Sequence, residues 1–117
     1  MAGLMEPAAI HGWHAHVYYT PETRAVAERL RDGIAARWPE AVLGRWHDAP
    51  VGPHRRSMYQ VAFAPALFDA LVPFIALNRG PLAVLVHPET GQQKPDHLER
   101  ALWMGEILPL DASVLPD

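Results

Sequence analysis

Two histidines stand two residues apart in the segment Trp13–Tyr19, WHAHVYY, in which polar and apolar residues alternate. Because successive side chains of a strand point to opposite faces, His14 and His16 would share one face, roughly 6.6 Å apart. At that separation two imidazoles can bind one metal ion, or one can bind it while the other transfers protons. The same pattern is also typical of the polar face of an ordinary half-buried strand.

The composition limits the kinds of site that the chain can build. The 117 residues include seven histidines and no cysteine, which excludes disulfides, thiolate nucleophiles and sulfur-ligated metals. Histidine and carboxylate ligands remain, and these suit iron, zinc, manganese or nickel. Neither Ser57 nor Ser113 stands in a nucleophile elbow, and no glycine-rich phosphate-binding loop is present. The sequence therefore favours chemistry based on histidine.

Length and charge indicate one globular domain, residues 1–117, that binds neither nucleic acid nor a membrane. Half of the residues are apolar, a fifth are charged, and the net charge is −3. No apolar run approaches the roughly 20 residues needed to cross a bilayer. The first residues, MAGLMEPAAI, lack the basic flank of a signal peptide, so we expect a loose lead-in over residues 1–12 and a cytoplasmic protein.

The hydrophobic periodicity predicts strands and helices in the order βαββαβ, followed by a third helix and a tail. This order indicates an α+β, ferredoxin-like sandwich, with two helices on one face of a four-stranded antiparallel sheet. The predicted strands are Trp13–Tyr19, Ala41–His47, Met58–Phe63 and Leu82–His87, and the predicted helices are Thr20–Trp38, Pro65–Arg79 and Pro95–Met104.

The alternation within each predicted strand assigns its side chains to one of two faces. If the more apolar set faces the helices, as Val42, Gly44 and Trp46 do on the second strand, histidines from three strands share the uncovered face. The residues predicted there are His14, His16, Arg45, His47, Gln60 and His87. We expect this face to be covered by a second copy of the chain or by the C-terminal tail.

Several polar residues outside the strands are further candidates. His54 lies in the Pro- and Gly-stiffened loop PVGPHRR, and Arg79 or Arg45 could pair with a substrate carboxylate. His97 is expected at the start of the third helix, with Asp96 as its cap. Asp48 and Glu89 are expected to point away from the neighbouring His47 and His87 unless the strands end there.

Four segments together resemble the DOPA 4,5-dioxygenase family, in order from about Trp13 to Asp111: WHAHVYY, GRWHDAPVGPHRRSMYQVAF, LNRGPLAVLVHPETG and DHLERALWMGEILPLD. The blocks GRWH, PVGPH, MYQV, LNRG and VLVHP within them are jointly specific. The resemblance implies a small cytoplasmic protein of ferredoxin-like topology. It also implies cleavage of the ring of DOPA or a related catechol beside the hydroxyl groups, with O₂ and non-haem Fe(II). Zinc or another divalent metal could replace iron in the purified protein.

The resemblance also suggests roles for the candidate residues. It implies His16, His47 and His87 as metal ligands, and His14 and His54 as an acid–base pair, although either His14 or His16 could be the ligand. Arg45, Gln60 and Arg79 are then expected to bind the substrate. Two alternatives stay open: a non-catalytic dimeric module that binds a small molecule or metal, and a cofactor-free isomerase or monooxygenase. A homodimer is expected in either case.

Overall fold

The computed structural model describes residues 3–117 as one sheet with helices packed against it. The strands are β1 (Gly12–Tyr18), β2 (Val42–Leu43), β3 (Met58–Phe63), β4 (Val84–Glu89) and β5 (Leu102–Met104). The helices are α1 (Arg24–Arg37), α2 (Phe68–Asn78) and α3 (Gln93–Leu98), and short 3₁₀ turns cover Pro7–Ala9, Pro65–Leu67 and Ala112–Val114. No helix within these residues is long and apolar enough to span a membrane.

The sheet is open and antiparallel, and its strands lie in the order β2-β3-β1-β4-β5. The predicted order βαββαβ is observed along the chain, but the prediction of four strands is wrong by one. The third helix ends at Leu98, and Leu102–Met104 forms β5, although both were predicted as one helix. Because β5 pairs with β4, the histidine-bearing β4 lies inside the sheet.

Helix α1 starts four residues later than the pattern predicts. Thr20 and Thr23 close a turn of their own, in which the Thr20 amide donates to Thr23 Oγ1 at 2.8 Å and the Thr23 amide donates to the Thr20 carbonyl at 3.1 Å. The helix proper then begins at Arg24 and ends at Arg37, before Pro39. Leu30 and Ile34, four residues apart on one side of the helix, pack against the sheet.

The main core lies between the sheet and helices α1 and α2. It includes Ala15 and Val17 of β1, which are fully buried. Strand β3 contributes Val61 and β4 contributes Val84 and Val86 to the same cluster. These alternate residues face the helices as predicted, so His14, His16 and His87 point to the opposite face.

The second predicted strand, Ala41–His47, forms only Val42–Leu43, and its faces differ from the prediction. Leu43 packs against the main core while Val42 is 65% exposed, the reverse of the expected assignment. Gly44 lies so close to β3 that a Cβ atom would come within 3.3 Å of the Gln60 carbonyl oxygen. The backbone is irregular from there, and pairing resumes only at a single bridge between His47 and Met58.

The face opposite the main helices is covered by α3 and the C-terminal segment. Tyr18, Met58 and Leu85 pack there with Leu108, which is 4% exposed. The Asp111 amide donates to the Pro53 carbonyl at 2.7 Å, which ties this segment to the loop that carries His54. The tail therefore covers part of the face, one of the two coverings that the sequence predicted.

Candidate metal centre

Five histidines from four parts of the chain converge on the face opposite the main helices. His14 and His16 come from β1, His87 from β4, His54 from the loop before β3, and His97 from α3. His14 lies directly opposite His87 in the antiparallel register of β1 and β4. The ring centroids of His16 and His54 are 4.1 Å apart, and those of His87 and His97 are 3.9 Å apart.

The nitrogen atoms of these rings form two groups in which three potential ligands lie within 4.8 Å of one another. One group contains His14, His16 and His87, and the other contains His16, His54 and His97. His16 belongs to both. Four of the five histidines are buried, with exposures of 0% for His87 and 8% or less for the other three.

Each imidazole except His16 has its Nδ1 atom occupied by a neighbouring group. His14 Nδ1 lies 2.6 Å from Glu89 Oε1, and His54 Nδ1 lies 2.6 Å from the Tyr18 hydroxyl. His87 and His97 place Nδ1 at 3.0 and 2.7 Å from the carbonyl oxygens of Pro88 and Gln93. Carbonyl oxygens only accept, so His87 and His97 donate from Nδ1 and keep a lone pair on Nε2.

The two Nε2 atoms of His16 and His87 are 3.1 Å apart. Since His87 Nε2 carries a lone pair, His16 donates to it in the absence of a metal, and His16 Nδ1 is left as an acceptor. That atom is the one buried side-chain nitrogen or oxygen with no partner within residues 3–117. A buried polar atom without a partner costs about 1–3 kcal/mol.

These features fit a bound divalent transition metal. A nitrogen ligand lies about 2.1 Å from its metal ion. Two such ligands at a right or tetrahedral angle are about 3.0–3.4 Å apart, and the Nε2 atoms of His16 and His87 have this separation. Carboxylate and carbonyl groups on the remote ring nitrogen are the usual partners of metal-binding histidines. The cluster therefore has the donor set, the spacing and the supporting hydrogen bonds of a metal centre.

Burial favours the neutral form of four imidazoles of the cluster, those of His14, His16, His54 and His87. Desolvation, together with the neighbouring histidines, lowers the pKa of His54 to about 4 and that of His16 well below its ordinary value. Desolvation likewise lowers the pKa of His87 to about 3. Burial and then His97 lower the pKa of the more exposed His14. Neutral imidazole is the form that binds a metal ion.

His47 belongs to neither group of potential ligands within the described residues. It pairs with Met58 on the face that carries the cluster, as the alternation predicted. However, β3 lies between its strand and β1 in the sheet, and its side chain is only partly buried. The structure thus brings together His16 and His87 of the ligands predicted from the sequence.

The predicted substrate-binding residues have different positions relative to the cluster. Gln60 is paired with His16 across β1 and β3 and shares its face, whereas Arg45 is exposed on the irregular segment after β2. Arg79 donates to the carbonyl oxygens of Gly80 and Leu82 and so holds the turn before β4. This turn is far from the cluster, because His87 is five residues beyond Leu82, about 16 Å along the strand direction.

His97 is the site residue that was predicted from the sequence only as part of a helix start. It lies in α3, whose cap is Gln92, so the prediction of Asp96 as cap is wrong. Asp96 is instead fully buried and accepts hydrogen bonds from Thr90 and Arg100. Strand alternation could not detect His97, because a short helix after β4 follows a different periodicity.

The two carboxylates that neighbour histidines in the sequence, Glu89 and Asp48, point in different directions. Glu89 is two residues from His87 on β4, so it lies on the same face, where it contacts His14. The expectation that Glu89 points away from the site is wrong for this reason. Asp48 does point away from the cluster, since it accepts a hydrogen bond from Tyr19 at 2.6 Å.

Fold and site together define a small α+β protein with a buried, hydrogen-bonded histidine cluster on one face of an antiparallel sheet. Residues 13–114 match the Dopa 4,5-dioxygenase family, and the chain belongs to this family. The resemblance found in the sequence is therefore confirmed.

Individual relatives agree with this assignment. The chain is 31% identical over 115 residues to DOPA 4,5-dioxygenase of Amanita muscaria, covering 92% of this chain and 50% of that protein. It is 40% identical to an uncharacterized 21.2 kDa protein of Botryotinia fuckeliana, covering 86% of this chain and 61% of that protein. The chain thus spans about half to three fifths of the length of these relatives.

A solved structure from Nostoc punctiforme, named a "putative dioxygenase", superimposes with a TM-score of 0.92 at 49% sequence identity. The match covers 95% of this chain and 96% of that one. The family and this neighbour both carry the name of dioxygenases.

Proposed function

We propose that this protein is a metal-dependent extradiol dioxygenase, which cleaves the ring of DOPA or a related catechol with O₂. The observation that carries this proposal is the convergence of five imidazoles, four of which have their Nδ1 atoms already held by neighbouring groups. Membership of the Dopa 4,5-dioxygenase family adds the reaction class. The histidine set, without thiolate ligands, suits non-haem Fe(II), and it would also accept zinc or another divalent ion.

The metal ligands that we infer are His14, His16 and His87. This set contains the closely spaced Nε2 pair, and it includes His14, the most exposed member of the cluster. It replaces His47 of the sequence-based set with His14. A bound divalent ion with open positions supplies Lewis acidity and a template for the two catechol oxygens.

The chain's own residues would orient the ligands and exclude water. Glu89 and the Pro88 carbonyl fix the ring orientations of His14 and His87 through their Nδ1 atoms. Such partners commonly change metal affinity or activity 10–100-fold when removed. Helix α3 and the C-terminal segment cover the sheet face that carries the cluster. They therefore limit unwanted reactions with solvent.

His54 is the residue that we assign to proton transfer. It is not needed in the inferred ligand set, and its Nδ1 lies 2.6 Å from the Tyr18 hydroxyl. In the tautomer in which Nδ1 donates to the hydroxyl oxygen, Nε2 keeps a lone pair. The ring lies 4.1 Å from that of His16, centroid to centroid, which places it beside the inferred metal centre. There it can accept a proton from a catechol hydroxyl and return it to the product.

The overall reaction needs no other reductant or oxidant. Both atoms of O₂ enter the product, the carbon–carbon bond beside one hydroxyl group breaks, and the four electrons lost by the organic substrate reduce O₂. The product is a ring-opened semialdehyde acid. One carbon of the broken bond becomes a carboxyl group and the other becomes an aldehyde, while the second hydroxyl oxygen of the catechol is retained.

Oxygen uptake by metal-loaded protein tests the function. Protein purified without a histidine tag, loaded with Fe(II) and given a panel of catechols, should consume one O₂ per ring-opened product. The His16→Ala variant should lose bound iron and fall at least about 100-fold in rate, since it removes a ligand. His47→Ala, the matched control on the same face, should retain iron.

Equal oxygen uptake by the His16→Ala variant and the unchanged protein would reject this site. Retention of one equivalent of metal with no uptake for any catechol would instead support the non-catalytic metal-binding module.

A further inference from the structure

Only one member of the histidine cluster is substantially open to solvent. His16, His54, His87 and His97 are at most 8% exposed, whereas the His14 side chain is 27% exposed. Its partner Glu89 is 29% exposed. A ligand therefore reaches the cluster most directly past His14 and Glu89.

A cleft of about 260 Å³ opens at this point. His14 and Glu89 line it together with Trp13 and Phe63, which give it apolar walls, and with Glu40 and His11. Its volume is close to the lower limit of small-molecule pockets, which is about 300 Å³. The cleft thus has a size and an apolar wall suited to a single aromatic ring.

The cleft is lined by negative charge. Glu40 and Glu89 both line it, and no lysine or arginine does so among residues 3–117. Glu40 is exposed and takes part in no ion pair within the described part of the chain. Arg100 lines a separate cleft and is already paired with buried Asp96 at 2.9 Å.

We propose that the entrance selects aromatic substrates whose ring substituent has no net negative charge and disfavours those with a carboxylate but no ammonium group, with Glu40 as a specificity-determining residue. A carboxylate beside Glu40 and Glu89 is repelled by like charge, while an ammonium group is attracted. This inference rests on the proposed function for the identity of the ring. It differs from the expectation that Arg45 or Arg79 binds a substrate carboxylate, and neither of these residues lines this cleft.

The test compares three catechols with ring substituents of similar length and different charge. These are 4-(2-aminoethyl)catechol, 4-ethylcatechol and 3-(3,4-dihydroxyphenyl)propionate. The metal-loaded protein should bind the amine more tightly than the carboxylate by about fivefold or more at low salt, measured by titration calorimetry under argon. The same order should hold for kcat/KM in air, and 0.5 M salt should narrow the difference.

Two charge-neutralising variants identify the residue responsible. Glu40→Gln should reduce the amine-to-carboxylate binding ratio at least twofold. Glu22→Gln makes the same change in net charge and should leave the ratio unchanged. Glu22 precedes α1 and Glu40 follows it, so the 14 residues of the helix, about 21 Å long, separate the two.

Tighter binding of the carboxylate, or an equal ratio in Glu40→Gln and the unchanged protein, would overturn the inference. The binding measurement decides it even if no catechol is oxygenated, so failure of the proposed reaction remains distinguishable.

Discussion

At the scale of single residues, the fitness of the cluster for a metal ion depends on what the Nδ1 atom of each imidazole contacts. The Nδ1 atoms of His87 and His97 donate to backbone carbonyls, and Glu89 holds that of His14. Each contact fixes a ring so that Nε2 carries the lone pair. Such contacts distinguish a preorganised ligand set from a chance accumulation of histidines on a wet surface.

Removing the hydroxyl group of Tyr18 should slow the reaction without removing the metal. Tyr18→Phe deletes the 2.6 Å hydrogen bond to His54, so the ring that transfers the proton loses its fixed orientation. We expect kcat to fall about 10–100-fold while KM and iron content change little. Steady-state kinetics and metal analysis of the same preparations measure both.

Tyr19→Phe provides the matched control. The neighbouring Tyr19 bonds to Asp48 and packs in the main core, on the other face of β1. An equal fall in kcat for both variants would mean that the loss at Tyr18 reflects general destabilisation rather than His54.

At the scale of elements, the sheet and a very short helix share the task of building the site. Strands β1 and β4 bring His14, His16 and His87 together through their antiparallel register. Helix α3 adds His97, and it has only six residues. A helix of this length does not persist by its own propensity, so tertiary contacts must hold it.

The buried Asp96 is the contact that we expect to hold α3. It accepts from the Thr90 amide at 2.8 Å and from Arg100 at 2.9 Å, and thereby joins α3 to the end of β4. Asp96→Asn should lower the free energy of unfolding by about 2–3 kcal/mol, because hydrogen bonds to a charged acceptor are replaced by weaker ones. Urea denaturation measures this change.

The exposed Asp32 of α1 gives a comparison variant, Asp32→Asn, which should alter the unfolding free energy by less than about 0.5 kcal/mol. If both variants had the same stability, Asp96 would not be the residue that anchors α3.

Much of this arrangement was predictable from the sequence because it depends on local periodicity. Ala15 and Val17 alternate with His14 and His16, and this alternation alone assigns the histidines to the face away from the helices. His97 could not be found in this way, since its position depends on Asp96 contacting Thr90 across a turn. The break at Gly44, which reverses the faces of Val42 and Leu43, likewise depends on contact with β3.

At the scale of the whole molecule, the protein buries four imidazole rings in a domain of 117 residues. The histidine face would otherwise be open, and α3 and the C-terminal segment cover much of it. The homodimer expected from the sequence stays a prediction. Burial of neutral imidazoles has a cost that depends on pH, because the unfolded chain binds protons that the folded chain does not.

The metal-free protein should therefore lose stability in mild acid. The folded-state pKa is about 4 for His54 and about 3 for His87, below the ordinary value of 6.5. The free energy of unfolding keeps its full value above pH 6.5 and falls as the pH decreases towards 4. In this interval the two histidines are protonated in the unfolded chain and neutral in the folded chain. Each such histidine contributes a slope of about 1.4 kcal/mol per pH unit in that interval.

Urea denaturation between pH 7 and pH 4.5 measures this slope. The His54→Gln variant, which removes one titrating ring, should show a slope smaller by about 1.4 kcal/mol per pH unit. Identical slopes would show that His54 does not remain neutral in the folded protein.

The central claim is that the histidine cluster binds a divalent metal ion, and anomalous diffraction tests it most directly. Crystals of metal-loaded protein, measured at the absorption edge of the metal, should give one strong peak about 2.1 Å from Nε2 of both His16 and His87. A map without any peak among the five histidines, from protein with one equivalent of metal, would contradict the account.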